Sequence, residues 1–569
     1  VTEAEFMKTS GIEALIEMLA QQGVRYLFGN PGTTELPLND ALVRDRRIGY
    51  ILGLHEVPVM AMADGYAMAS GGIGVVNLHA SCGLGNAGGM LYNAFREGTP
   101  LLVTAGQQDR RLRFEEPILW SRMVDVARPW TKWSVEVERV QDLPVALRRA
   151  IQTVLTPPTG PVFMSLPLDV QREVAELDIT PPSPLDTLVR PPRDALSQAA
   201  EVLLSAKNPA ILAGSRVVER NAVDELVRLA ERLGAPVIGE SGTTHGRLAF
   251  PPQHPLYDQC LPLWSPEIRE RLRDYDVLFI TGMDAFRQYL YHEPRAIPES
   301  ARLVQLDEDP WQLGKNYPLA VGLIGCTKAG LAELESVLAA QMTDRQRDLA
   351  RERAERHAKR HLADRKRLEA QAERERSVRP LTPLAFMNSL ARILPADVAV
   401  VEEAVTTTNT VFERLGALKN ATGYFGHRGW ALGWGVGCAI GVKLAWPQRP
   451  VLAVIGDGSA VYGIQALWSA AKYRVPVTFV IPNNAQYQIL KIGAAGMGLP
   501  AAQAGKFEGF DLTGPEIDFV GLSRSLGVEA ARVSEPDELC ERVAQSLRGE
   551  RPQVFEVPIS RDVPARLNY

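Results

Sequence analysis

Residues Val451 to Leu490 read VLAVIGDGSAVYGIQALWSAAKYRVPVTFVIPNNAQYQIL. An apolar run, Val451 to Ile455, breaks at Gly456-Asp457-Gly458-Ser459. An amphipathic segment carrying Ile464, Leu467, Trp468 and Ala471 follows, and a second apolar run, Val475 to Ile481, ends at Asn483-Asn484. This pattern predicts strand, turn, helix, strand and turn. Two parallel strands so connected finish on the same sheet edge, so Asp457 and Asn484 are expected to converge there. Both offer oxygen, as Mg²⁺ requires, and so few protein ligands leave positions for phosphate oxygens and water. Taken alone, a GDG turn is more often an ordinary strand-helix junction; the paired asparagines after the next strand favour the metal.

Upstream, Ala399-Val400-Val401-Glu402-Glu403 is a strand ending in Ala404-Val405-Thr406-Thr407-Thr408, and Gly426-His427-Arg428-Gly429-Trp430-Ala431-Leu432-Gly433 leads into a helix of small residues. The first part of the chain repeats the plan. A helix over Thr9 to Gln22 precedes Tyr26-Leu27-Phe28 and the loop Gly29-Asn30-Pro31-Gly32-Thr33-Thr34-Glu35-Leu36-Pro37. Tyr50-Ile51-Leu52 runs to Leu54-His55-Glu56, and Gly74 to Leu78 runs to His79-Ala80-Ser81-Cys82-Gly83. A carboxylate at the end of a buried strand is costly unless it is paired or stays protonated against a ligand, which singles out Glu56. A lone acid there is more often helix-dipole compensation, and a lone histidine such as His79 a hydrogen-bonded core residue. The three strand ends carrying Thr33 and Glu35, Glu56 and His79 weigh more together than singly.

GNPGTTELP, LHE, NLHASCGLGNA, PLLVTAGQQ (Pro100 to Gln108) and the GDG with its double Asn resemble the thiamin diphosphate-dependent 2-oxo acid decarboxylase and acetolactate synthase family, benzoylformate decarboxylases above all. The resemblance covers most of the chain and is weakest between about Arg190 and Val378. It implies that Glu56 touches the aminopyrimidine ring of thiamin diphosphate and that Leu432 props the bent cofactor. It implies further that Asp457, Asn484 and the Gln486 carbonyl hold Mg²⁺ (or Ca²⁺) against the diphosphate. Thr406, Gly456, Gly458, Ser459 and Tyr487 complete the implied cofactor set. His79 and Thr33, with His427 or His292, are expected to bind the substrate carboxylate and relay protons. In the family a middle-domain histidine follows a Phe-Arg pair. Here Phe286-Arg287 precedes Gln288-Tyr289-Leu290-Tyr291-His292, so an ungapped match places Tyr289 there and His292 fits only with a shift. His427 stands where acetolactate synthases have a histidine and the decarboxylases do not.

The expected architecture is α/β, with three domains that are each a mostly parallel sheet flanked by helices. They are an aminopyrimidine-binding domain (1–185), a middle domain (193–340) and a diphosphate-binding domain (380–569). A proline-dense linker from Pro181 to Pro192 separates the first two. Residues 343–377 are charged with both signs interspersed and predict a solvated connecting helix, not a nucleic-acid contact. No GxGxxG follows the middle strands, so no FAD is expected.

Composition bounds the remaining possibilities. The chain has 569 residues, 46% of them hydrophobic, and a net charge of −5. No basic block is interleaved with aromatics, which argues against nucleic acid. Five scattered cysteines without a CxxC point to reduced thiols in a cytoplasm. The N-terminal stretch lacks a secretion signal, and no apolar run approaches the roughly 18 residues of a membrane span. The resulting expectation is a cytoplasmic lyase that decarboxylates an aromatic 2-oxo acid such as benzoylformate, as a homodimer with the site at the subunit interface, arranged as a tetramer. The alternatives are a carboligase or C–C lyase, and a non-catalytic cofactor-binding protein.

Overall fold

The computed structural model describes residues 5–240, 246–288 and 290–564. Three six-stranded sheets succeed one another along the chain, and every strand pair within them is parallel. Strands buried on both faces need side chains without polar atoms, which is why the central strands are continuous apolar runs. A separate antiparallel pair, Phe6–Ser10 with Val174–Asp178, ties the start of the first domain to its end. Among the described residues, no helix is long and apolar enough to cross a membrane.

Strand order locates the clefts. In the first sheet Tyr26–Gly29 lies between Gly49–Leu52 and Gly74–Leu78, so the chain first moves one way and then returns to the other side. In the third sheet Ala399–Glu403 likewise lies between Tyr424–Phe425 and Val451–Ile455. At such a reversal the connections diverge to opposite faces and leave a crevice at the carboxyl ends of the two central strands. The loop from Asn30 to Glu35 and the residue His79 flank the first crevice. Glu403 and Asp457 flank the third, with Glu403 in register with Ile455.

The first and third domains share one core. Helix Glu56–Ser70 packs on helix Trp434–Ala445, and both are built of small residues. The backbones come so close that a Cβ at Gly441 would lie 1.9 Å from the Met62 carbonyl oxygen. A single buried cluster runs from Phe28 and Val76 through Met62 and Cys438 to Val401, Ile455 and Phe479.

The charged stretch forms helix Asp344–Glu375, started by Thr343 and Gln346 in a reciprocal capping box. It is not uniformly solvated, as its composition predicts. Ala350, Arg353, His357, Leu368 and Ala372 are buried along one side. Arg353 can be buried because its guanidinium donates to the Leu233 carbonyl, 2.6 Å from Nη2. That bond satisfies an orphan acceptor at the end of helix Val223–Leu233.

Candidate active site

The Asp457 turn and the Asn484 loop meet. Asp457 begins helix Asp457–Gly463 directly after its strand, and its carboxylate accepts N–H bonds from Gly458 (2.9 Å) and Ala485 (2.6 Å). Asn484 Oδ1 accepts from the Gln486 N–H at 3.2 Å. The Gln486 side chain is engaged elsewhere, donating to the Arg561 carbonyl and accepting from Lys491 Nζ. Its main-chain carbonyl takes part in neither of the flanking bonds, Tyr487 N–H to Phe510 and Leu512 N–H to Ala485. Burial pushes the Asp457 carboxyl up to about 6, against the pull of the surrounding backbone N–H groups. A cation there would favour the ionised form. Among the described residues, no group of three or more His, Cys, Asp or Glu could cage a metal. The donors present are a carboxylate, an amide oxygen and a carbonyl, which fits a hard cation that keeps room for phosphate and water. Tyr487 covers this turn, since a Cβ at Gly458 would lie 2.8 Å from its ring.

Glu403 joins the Asp457 turn to the Leu432 turn. Its carboxylate accepts the N–H groups of Gly433 (3.0 Å), Trp434 (3.1 Å) and Gly435 (2.8 Å), and its carbonyl accepts the N–H of Gly456 (3.1 Å). Burial raises this carboxyl to about 8 even against those three hydrogen bonds. Gly433 has φ +98°, a left-handed conformation that suits glycine, and Tyr462 presses on the side a Cβ would occupy. Leu432, half-buried, stands directly before this turn.

His427 is buried. Its Nδ1 accepts the Trp430 N–H at 3.0 Å, its Nε2 lies 3.6 Å from Glu403 Oε1, and its ring sits 5.0 Å from that of Trp434. Burial lowers its pKa to about 4, so it is neutral over the physiological range. Both ring nitrogens therefore face protein groups.

In the first domain, His79 Nδ1 lies 2.7 Å from Glu35 Oε2. Glu35, fully buried, also accepts from Gly32 N–H, Thr34 Oγ1 and Gly106 N–H. An ionised carboxylate only accepts, so Nδ1 carries the proton and Nε2 is the nitrogen left to act. Gly32 lies against the imidazole so closely that a Cβ would be 2.0 Å from Nδ1. Glu56 opens helix Glu56–Ser70 and is buried; its Oε2 accepts from Asn86 Nδ2 at 3.1 Å, and a Cβ at Gly83 would lie 3.2 Å from Oε1. Both Gly83 and Asn86 belong to helix Ala80–Glu97, which His79 precedes, so Glu56 and His79 flank the start of that helix.

The other expected residues are placed less tightly. Thr33 is exposed and lines a groove with Leu36, Pro37 and Arg44, whereas Thr34 Oγ1 is the hydroxyl near His79, at 3.4 Å. Thr406 is half-buried in helix Val405–Thr408, and Ser459 is buried in the first turn after Asp457. The Phe286-Arg287 segment reaches the loop of His427, with Arg287 Nη1 donating to the Arg428 carbonyl at 3.2 Å. His292 is half-buried, and its Nε2 has no hydrogen-bond partner among the described residues. Tyr289 lies outside the described residues. Sequence reasoning passed over Glu403, although the argument that singles out Glu56, an acid closing an apolar run, applies equally to it. Glu35 is marked by the sequence only as part of the strand end it shares with Thr33, with no role of its own.

Comparison with known proteins identifies the family of this chain. Models of the thiamine pyrophosphate enzyme family match residues 9–118 (N-terminal TPP binding domain), 196–334 (central domain) and 405–557 (C-terminal TPP binding domain). Benzoylformate decarboxylase of Pseudomonas aeruginosa is 36% identical over 552 residues, covering 96% of this chain and 98% of the relative. The acetolactate synthase large subunit of Haemophilus influenzae is 25% identical over 559 residues, covering 96% and 94%. The solved structure of the thiamine diphosphate-dependent 4-hydroxybenzoylformate decarboxylase of Rhodococcus jostii RHA1 superposes with a TM-score of 0.85 at 30% identity, over 98% of this chain and 100% of that one. With three family domains in order, each on its own parallel sheet, the chain belongs to the thiamine pyrophosphate enzymes.

Proposed function

We propose that this chain is a thiamin diphosphate and Mg²⁺ dependent carboxy-lyase that converts an aromatic 2-oxo acid such as benzoylformate to the aldehyde and CO₂. The observation that carries the reading is the pair of half-buried His79 and fully buried Glu35 at the strand-order reversal of the first sheet, on the helix start that Glu56 also meets. When bound, thiamin diphosphate supplies the electron sink that loss of CO₂ requires. Glu56, whose Oε2 accepts from Asn86, would face the aminopyrimidine and exchange a proton with it. Asp457, Asn484 and the Gln486 carbonyl would hold the metal, and Leu432 would prop the cofactor. His79, kept as the Nδ1–H tautomer by Glu35, would offer Nε2 as general acid–base, while Thr33 and His292 would contribute a hydroxyl and an imidazole group for a carboxylate substrate.

The aminopyrimidine-binding domain of one subunit would face the diphosphate-binding domain of the other across a homodimer, paired into a tetramer. Apolar side chains exposed at Leu54, Trp430 and Tyr462, next to these site segments, support that assembly. The carboligase alternative leaned on His427, whose ring is occupied by Trp430, Trp434 and Glu403. The test is product analysis with aromatic and aliphatic 2-oxo acids, with and without an added aldehyde acceptor. Aldehyde and CO₂ in equal amounts from benzoylformate support the reading. Release of CO₂ only with an acceptor, with a hydroxyketone as product, replaces it by the carboligase.

A further inference from the structure

We infer that Glu403 is the positioning residue that sets the height of Leu432 over the cofactor. This inference rests on the function proposed above. Leu432 can prop a cofactor only if its backbone is held still, and nothing in its own side chain does that. The next three N–H groups, Gly433, Trp434 and Gly435, all converge on one carboxylate, at 2.8 to 3.1 Å. These are the orphan donors that open helix Trp434–Ala445, and a carboxylate is the acceptor best suited to them.

The anchor is itself rigid, because Glu403 closes a central strand paired on both sides and is wholly buried. Two further contacts lock the turn from its other faces. Tyr462 occupies the space beside Gly433, and a Cβ at Gly463 would lie 2.2 Å from the Gly433 carbonyl oxygen. His427 Nε2, facing Glu403 Oε1 at 3.6 Å, closes the remaining side of the carboxylate.

The geometry also separates two functions within one residue. The side chain of Glu403 holds the Leu432 turn, whereas its main-chain carbonyl holds Gly456, next to the metal-binding Asp457. Replacing the side chain therefore disturbs the Leu432 turn and leaves the diphosphate anchor in place. Glu403→Gln keeps the shape but places an NH₂ group where one carboxyl oxygen was, and Glu403→Asp keeps the carboxyl while retracting it by one methylene.

The full-length chain should be made as these two variants, with Leu432→Ala as reference. Amide hydrogen exchange is measured without cofactor, thiamin diphosphate binding with Mg²⁺ by titration calorimetry, and turnover on the substrate established for the parent. In both Glu403 variants the amides of Gly433 to Gly435 should exchange at least ~10-fold faster while the strand Thr478–Asn483 is unchanged. Turnover should fall by about 100-fold, as a ~1 Å misplacement predicts, with KM and the cofactor dissociation constant within about threefold of the parent and kcat matching Leu432→Ala. Unchanged exchange in both variants overturns the inference, and so does a loss of cofactor affinity equal to the loss of turnover. A parent that binds no thiamin diphosphate defeats the proposed function, and unchanged amide exchange then defeats the positioning claim separately.

Discussion

Glu35 shows how a single carboxylate sets a histidine. Four donors fill its two oxygens: Thr34 Oγ1 and Gly106 N–H on Oε1, Gly32 N–H and His79 Nδ1 on Oε2. An amide cannot accept on both ends, so in Glu35→Gln one donor faces an NH₂ group and the tautomer preference of His79 is lost. Turnover of that variant should fall by about 10²–10⁴-fold, the range for a misplaced general acid–base group, in steady-state kinetics on the parent's substrate. Asp457 sits at the same scale with a different task. Asp457→Ala removes the one carboxylate among the proposed metal donors, so Mg²⁺-dependent binding of thiamin diphosphate, followed by calorimetry, should weaken at least ~10-fold. Glu56, His79 and Asp457 were legible in the sequence because each ends an apolar run. The pairing of Glu35 with His79 was not, since it depends on two strands separated by a third in the chain lying side by side.

Between elements, the contact of helix Glu56–Ser70 with helix Trp434–Ala445 governs how the first and third domains meet. Gly441→Val would drive a side chain into the Met62 carbonyl, and the resulting overpacking should cost about 1–3 kcal/mol or more in urea denaturation. The same interface holds a buried acid. Asp64 accepts from Trp434 Nε1, and burial raises its pKa from 3.8 to about 7. Between those values the folded chain keeps a proton that the unfolded chain has lost. The stability this carboxyl contributes is thus full below pH 3.8 and is lost as pH rises through about 7. The slope is at most about 1.4 kcal/mol per pH unit. In Asp64→Asn the difference in urea midpoint between pH 5 and pH 8 should shrink; an unchanged difference would show that Asp64 does not carry it. The strands of these domains were legible as apolar runs, but this interface was not. It is made by glycine and alanine, which carry no pattern distinguishing close helix packing from an ordinary small-residue helix.

Across the whole molecule, one guanidinium fastens three domains. Arg247 donates to the carbonyls of Tyr424, Met68 and Thr422 at 2.9, 3.0 and 2.7 Å. Arg247→Leu strands the buried Tyr424 carbonyl and frees two more solvent-accessible ones, and a buried acceptor left unmade costs about 1–3 kcal/mol, so a loss of at least ~1 kcal/mol is expected in urea unfolding. Three α/β domains were readable from the recurring strand-loop-helix plan and the family motifs. The connecting helix reads as solvated from its charges because composition cannot show that Arg353 caps a neighbouring helix.

The central claim is that Glu56, at the first crevice, and Asp457, at the third, serve one thiamin diphosphate reaction. CO₂ release from benzoylformate, with thiamin diphosphate and Mg²⁺ supplied, tests it most directly when the parent chain is compared with Glu56→Gln. The account predicts CO₂ and benzaldehyde from the parent and about 10²–10⁴-fold less from Glu56→Gln. Equal turnover in the two proteins would contradict it.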